Sequence, residues 1–424
     1  MTTFIVFLVA LFAFMLIGLP LAFVLIICAI FMMLSLNQSD VMVIAQNMVS
    51  GTNSFALMAI PFFMLAGEIM DRGGLSLRIV KFAKLIVGRI RGGLGYTAIL
   101  ATIVFSGLSG SAVADAAALG AILIPLMIKS GYKKSRSVAF VAPMIPPSIP
   151  MIVMGTSTGL SITKLFMSGL VPGIIVCLGL MVAWFFVVRA DNYDDRETFT
   201  WKEAKAIMLD SFPALLMPIF IVGGIRFGIF TPTEAGAFAV VYALIICTFY
   251  YKEFSFKDIG SVLVSSAAST ATIMFIVAGA TAASIYFTLA QIPAAMANLL
   301  GGLIEHPTLL MLLINIFLLC MGMIMDCTPN ILIFAPVLFP IIKKAGIDPY
   351  YFACLMNFNL CIGLITPPVG VVLYVAMDAS KDGEKLSVGP VVKHLLPFLA
   401  VEFGLLFLMI FVPQLITVPL KWLT

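Results

Sequence analysis

Charge is scarce in this chain. Asp, Glu, Lys and Arg together make 10% of its 424 residues, and His occurs only at His306 and His394. Two scattered His and no H-E-x-x-H argue against an intramembrane enzyme, which needs a nucleophile with a positioned base or a metal cluster. No G-x-x-x-x-G-K-[S/T] occurs, so no nucleotide-binding loop is present to drive the protein with ATP. Basic clusters interleaved with aromatics are missing, which excludes a nucleic-acid partner. The seven Cys show no C-x-x-C spacing; Cys28, Cys177, Cys247, Cys320 and Cys361 sit in apolar runs and read as small hydrophobes. The N-terminus lacks the basic n-region and small-residue cleavage site of a signal peptide, and reads as a retained span.

What is present is apolar. Hydrophobic residues make 62% of the chain and mean hydropathy is +1.16. Several runs reach the roughly 20 residues that cross a bilayer. The fold class is therefore an all-α, multi-pass integral membrane protein, with the lipid bilayer as its solvent. The 26 Met read as core filler.

Residues 4–34 form one apolar run broken at Gly18-Leu-Pro20, either one kinked helix or two short ones. A span follows over 55–70. Residues 74–91 carry Arg78, Lys81, Lys84, Arg89 and Arg91 among apolar residues at helical spacing, as in an interfacial amphipathic helix. Residues 94–128 have basic flanks on both sides, which mark the cytoplasmic face. Such a segment is a re-entrant hairpin with its tip near Ser106–Ser111; the alternative is two complete spans. Residues 137–160 contain Pro143, Pro146, Pro147 and Pro150, too many for a continuous helix. Spans then follow over 165–188, 208–225, 233–250 and 258–285. Ahead of the third, Thr231 or Thr233 is placed to cap the helix, with Glu234 complementing its dipole. Residues 286–302 are weakly amphipathic. Residues 308–342 repeat the hairpin around Asp326, residues 350–377 cross with a break at Thr366-Pro-Pro368, and 395–418 is the last span. In this topology only Lys164, Arg226, Lys343, Lys344 and Lys421 of the 24 Lys and Arg lie outside, leaving 24 − 5 = 19 on the cytoplasmic side.

The chain also repeats itself. Gly107 and Gly322, Pro125 and Pro340, Lys129 and Lys344, and Gly131 and Gly346 are each 215 positions apart; Pro147 and Pro368 are 221 apart. With one hairpin entering from each side, the repeat is inverted. That is a secondary-transporter architecture, with the site at the bilayer midplane.

The two tips are rich in oxygen. Ser106, Ser109 and Ser111 offer hydroxyls; Asp326, Thr328, Asn330 and Thr366 offer a carboxylate, hydroxyls and an amide. Carbonyls freed at Pro146-Pro147 and Pro367-Pro368 offer more. Sodium, a hard cation, takes such ligands, and half-helix N-termini facing inward favour an anion. Small-residue helix packing accounts for the serines as readily. A carboxylate at membrane depth, as at Asp326, is functional by default. Asp115 is balanced between ion-site support and helix capping.

Six stretches carry a family resemblance. They are Ile60-Pro-Phe-Phe-Met-Leu-Ala-Gly-Glu-Ile-Met70, Ser106-Gly-Leu-Ser-Gly-Ser-Ala-Val-Ala-Asp-Ala-Ala-Ala-Leu-Gly120, Ile145-Pro-Pro-Ser-Ile149, Phe230-Thr-Pro-Thr-Glu-Ala-Gly236, Gly322-Met-Ile-Met-Asp326 and Gly363-Leu-Ile-Thr-Pro-Pro-Val-Gly370. Together the chain resembles, over almost its whole length, the large DctM-like membrane subunit of tripartite ATP-independent periplasmic (TRAP) transporters. The resemblance implies a sodium-coupled importer of organic acids in the bacterial inner membrane, sialic acid ahead of C4-dicarboxylates. It implies two partners: a small four-helix membrane subunit, expected as a separate chain, and a soluble periplasmic substrate-binding protein. It implies an elevator in which a transport domain slides past a scaffold. The division is 1–93 scaffold and interfacial arm, 94–164 first transport repeat, 165–302 scaffold and second arm, 303–378 second transport repeat, and 379–424 C-terminal helix. Candidate sodium ligands are Ser106, Ser109, Pro147, Asp326, Thr328, Thr366 and Gly370. Candidate substrate contacts are Ser109, Ser111, Thr156, Asn330 and Asn359, with Asp115 and Glu234 as support. A passive anion channel and an ion-coupled anion transporter of another family are the alternatives.

Overall fold

A computed structural model of the chain describes residues 2–140, 149–191, 195–299, 301–380 and 386–424, which are helical with no strand among them. The apolar N-terminal run is two helices, α1 (Thr2–Leu16) and α2 (Leu21–Ser35). Gly18 turns the chain with φ +87° and Pro20 starts α2, so the break is a hairpin and not a kink. Cys28 Sγ lies 3.8 Å from the Phe7 carbonyl oxygen, and the two ends of this pair share one side. Next come α3 (Val41–Thr52) and, after a 59° bend and a short 3-10 turn (Phe55–Met58), α4 (Ala59–Arg72).

The interfacial arm is α5 (Leu75–Val87). It is amphipathic as expected, but Arg78 is turned inward, with its side chain 9% exposed. Its guanidinium donates to Glu253 (2.9 Å) and Asp210 (3.2 Å) and lies 3.6 Å from the centre of the Tyr251 ring.

The first hairpin is α6 (Gly93–Ser109) and α7 (Ala112–Lys129), turned at Gly110 with φ +65°. Then follow α8 (Lys134–Phe140) and α9 (Ile149–Thr158). The prolines Pro143, Pro146 and Pro147 fall outside the described residues, as do Lys381 and Lys385 and the side chain of Ser109. Three long helices cross next: α10 (Ile162–Asp191), α11 (Trp201–Arg226) and α12 (Pro232–Ile245), the last prolonged by a π turn over Ile246–Tyr250. Thr231 and Glu234 form a full capping box at the start of α12. The 31-residue α13 (Ile259–Leu289) leads to α14 (Ile292–Leu299) and α15 (Gly301–Ile304). The second hairpin is α16 (Pro307–Gly322) and α17 (Cys327–Lys344), followed by α18 (Pro349–Ile365) and α19 (Val371–Asp378), with the Pro367–Pro368 peptide cis. The final apolar run, expected as one span, is α20 (Val388–Phe411) and α21 (Gln414–Leu423), because Pro413 interrupts it.

The repeat is plain in these bounds. Adding 215 to the ends of α7 gives the ends of α17, and adding 215 to the start of α8 gives the start of α18. The two halves also interlock: α7 packs on α19 and α17 packs on α9, while α8 meets α19 and α18 meets α9. Each hairpin is thus seated on helices of the other half. At the crossing of α16 and α18, Gly322 and Gly363 bring backbones together; a Cβ on Gly363 would stand 2.6 Å from Gly322. Only a residue without a side chain permits that approach.

Candidate functional site

Both hairpin tips open on one small cavity of about 60 Å³, lined by Gly110–Val113, Ile149, Pro150, Ile273, Asp326–Thr328 and Leu364. That is the room of about four to six waters, suited to an ion with a small group. By length and apolarity alone α7 and α17 count among the seven helices of the described residues able to cross a membrane. Their N-terminal ends stop at this cavity, against Ile149 and Pro150 of α9, Ile273 of α13 and Leu364 of α18. The peptide N–H of Ile149 donates to the Gly110 carbonyl (2.9 Å), which joins the first tip to the broken helix beside it. Both hairpins are therefore re-entrant, and non-helical backbone at that depth is tolerated because protein surrounds it.

Each tip is held differently. In the first, Ser111 is the N-cap of α7, its hydroxyl accepting from Ala114 N (3.4 Å). Ser106 is buried one turn before, its carbonyl accepting from Gly110 N (3.3 Å), and Asp115 is buried in the first turn of α7. In the second, Asp326 holds the N-cap position of α17 but makes no capping bond from its side chain; the carboxylate is half-buried at the cavity. Asn330, fully buried, donates its amide to the carbonyls of Met325 (3.0 Å), Asp326 (3.0 Å) and Met321 (3.3 Å). Three carbonyls around one group fix the amide orientation, since a flipped oxygen would face only acceptors. Asn330 Oδ1 is left buried with no donor. An orphaned acceptor of that kind fits a cation.

Behind the cavity, α18 ends at Thr366, whose hydroxyl donates to Ile362 O (2.6 Å). Gly370 starts α19 with φ +52°, so close to the Thr366 carbonyl that a Cβ would lie 3.3 Å from it. The N-termini of α7 and α17 both border the same space; their aligned dipoles make it positive. Ser111, Asp326 and Thr328 are thus brought together at the cavity, whose lining does not include Asn330, Thr366 or Gly370.

Three further candidates lie elsewhere. Asn359 is buried and donates to Asn315 O (2.7 Å) and Oδ1 (2.8 Å), clamping α18 to α16. Thr156 lines a different, larger cavity. Glu234 accepts from Thr231 N (2.8 Å) and Oγ1 (2.9 Å) in its capping box, so its placement as site support gives way to the helix-capping one.

Other residues carried no sequence signal. Ile273 of α13 walls the cavity from across the molecule. Asp195, in the loop before α11, caps α6 by accepting from Gly93 N (3.0 Å) and Leu94 N (2.9 Å), and also accepts from Tyr132 OH (2.8 Å) just past α7. One carboxylate so ties both ends of the first hairpin. Nothing at 195 announces partners about 100 and 63 positions away. Asn315 was open to notice, as a polar residue inside an apolar run.

Residues 8–415 match the family model of the tripartite ATP-independent periplasmic transporter, DctM component. This chain belongs to that family. A DctM chain is a transporter component, which agrees with the interior, oxygen-lined tips. The 2,3-diketo-L-gulonate TRAP transporter large permease protein YiaN of Escherichia coli is 44% identical over 413 residues, covering 96% of each chain. The sialic acid TRAP transporter large permease protein SiaM of Vibrio cholerae is 34% identical, covering 94% of this DctM chain and 93% of SiaM. The crystal structure of the Alcanivorax borkumensis YdaH transporter superposes with a TM-score of 0.65 at 16% identity, covering 89% of this chain and 88% of that one. At that identity the likeness is one of fold.

Proposed function

We propose that this chain is the large membrane subunit of a sodium-coupled importer of an organic acid in a bacterial inner membrane. The observation that carries this reading is the shared cavity. It sets one carboxylate, Asp326, beside Ser111, Thr328 and the N-termini of α7 and α17 in a space of about 60 Å³. Oxygen ligands around a carboxylate suit a hard cation, and the N–H groups suit the acid's carboxylate next to it. Sodium is here a co-transported ion. Bound at Asp326 it neutralises that charge, and an anion then approaches a net positive site.

The transport unit consists of the two hairpins with their broken helices, and it slides as an elevator past the remaining helices. The interlock of α7 with α19 and α17 with α9 supports movement of the two repeats as one body. A small four-helix subunit, as a separate chain, and a periplasmic binding protein complete the system, as in the family resemblance. For the substrate, the names of the two relatives give sialic acid and 2,3-diketo-L-gulonate as models; both are acids with many hydroxyls, unlike a C4-dicarboxylate.

Uptake into proteoliposomes holding the assembled membrane subunits, fed by the loaded binding protein, tests this. Asp326→Asn is expected to abolish sodium-driven uptake while the protein keeps its thermal unfolding midpoint. Uptake by the variant that still follows the sodium gradient refutes the assignment. Flux by the unaltered protein without sodium or binding protein establishes a passive channel instead.

A further inference from the structure

A second cavity, of about 290 Å³, lies between α9 and α17 on one side and α13 and the α3–α4 bend on the other. Its polar lining is Ser50, Ser54, Thr156, Ser157, Thr281 and Ser284, and no lining residue is charged. Resting on the reading of an acid at the hairpin tips, we propose that this cavity is the subsite for the hydroxylated body of a sugar acid.

Position comes first. The two cavities share three helices. Ile149 and Pro150 of α9 line the tip cavity; Thr156 and Ser157, seven residues on, line this one. Along α17 the step is from Thr328 to Leu332, and along α13 from Ile273 to Val277. At 1.5 Å per residue these offsets place the two spaces about 6–10 Å apart. A molecule with its carboxylate at the tips has its far end here.

Proton bookkeeping decides the chemistry. Thr156 donates to Val153 O (2.9 Å), Ser157 to Met154 O (3.2 Å), Thr281 to Val277 O (2.8 Å) and Ser50 to Asn47 O (3.3 Å). With their protons engaged by helix carbonyls, these four hydroxyls face the cavity as acceptors, while Ser54 and Ser284 keep a proton to donate. A sugar's hydroxyls donate to such a surface. A second carboxylate can only accept; it would find at most the Ser54 and Ser284 hydroxyls as donors and no cation in the lining, which does not repay its lost hydration. The cavity thus selects a polyhydroxy monocarboxylate over a short dicarboxylate.

Thr281 and Ser284 supply the test. Gly51 packs directly on the Thr281 side chain, where a Cβ would stand 2.5 Å from Thr281 Cβ, so Thr281→Val keeps the shape and removes the acceptor. The purified protein with its small membrane subunit is titrated calorimetrically, in saturating sodium chloride, with D-gluconate, succinate and acetate. Gluconate is expected to bind at least about tenfold tighter than succinate. In Thr281→Val/Ser284→Ala, loss of acceptors weakens gluconate by about tenfold, with acetate unchanged and Thr281→Ser close to the unaltered protein. The pair Thr156→Val/Ser157→Ala, on α9, provides the same measurement from the opposite wall should the first fail to fold. Succinate binding as tightly as gluconate, no gluconate binding, or gluconate affinity unmoved by both pairs overturns the subsite. Repeating the titration in choline chloride separates the two readings: gluconate binding that ignores sodium but still needs the hydroxyls refutes the sodium coupling and supports the subsite.

Discussion

Asn330 shows how a single side chain can shape a tip. It gathers the carbonyls of Met321, Met325 and Asp326 with one amide. Asn330→Ala leaves three buried carbonyls without that donor, at a cost of about 2–3 kcal/mol. The expected outcome is a lower unfolding midpoint that sodium raises less than in the unaltered protein; a midpoint and sodium response both unchanged would show that the amide does not hold the loop. Ser111 and Asp326 were identifiable beforehand because hydroxyls and a carboxylate inside apolar runs are conspicuous. Asn359 was equally conspicuous and lies elsewhere, since a buried amide is as well satisfied by another asparagine as by a ligand. Residue type marks a buried polar group; only the neighbours determine what satisfies it.

For the hairpins, the sequence indicates where each one turns, while packing decides what holds it. The turn at Gly110 and the break before Cys327 follow from small residues and an N-cap pattern. The crossing of α16 and α18 depends on two glycines 41 positions apart (363 − 322). Gly363→Ala drives a methyl into the Gly322 backbone, and overpacking of that kind costs about 1–3 kcal/mol. The second hairpin should shift from α18, measured as a lower midpoint and a weaker sodium affinity. At the first hairpin, Asp195→Ala removes the cap of α6 and the acceptor of Tyr132 together. The loss should be about 2 kcal/mol, and hydrogen exchange should rise at Gly93 and Leu94 while the amides of α17 keep their protection. Exchange that rises equally in both hairpins would show that Asp195 has no local role.

On the scale of the whole molecule, Arg78 joins three parts of the helical frame: the arm α5, α11 through Asp210, and the loop before α13 through Glu253. The hydrogen bond from Arg78 holds the Glu253 carboxyl below its ordinary value. A depressed carboxyl stabilises the fold above its unfolded pKa of about 4.3 and loses that contribution as pH falls through the folded value. The unfolding midpoint should therefore drop as pH falls below about 4, and Glu253→Gln should flatten that limb of the curve. Arg78→Ala should lower the midpoint by itself, through about 2 kcal/mol of lost charge-assisted bonds. The sequence had placed Arg78 with the interfacial lysines and arginines, because helical spacing cannot tell an inward guanidinium from an outward one.

Apolar run length, prolines and the repeat at 215 positions by themselves determined a membrane-spanning helical chain with two oxygen-rich hairpins and a break at 366–368. Those signals are local, and a bilayer enforces them strictly because unpaired backbone has no water to turn to. The tertiary structure alone decided that the two tips share one cavity, that each hairpin rests on helices of the other half, and that Thr156 belongs to a neighbouring space with Thr281. These are contacts between segments far apart in the chain, set by shape and by the search of buried polar groups for partners, and no local pattern encodes them.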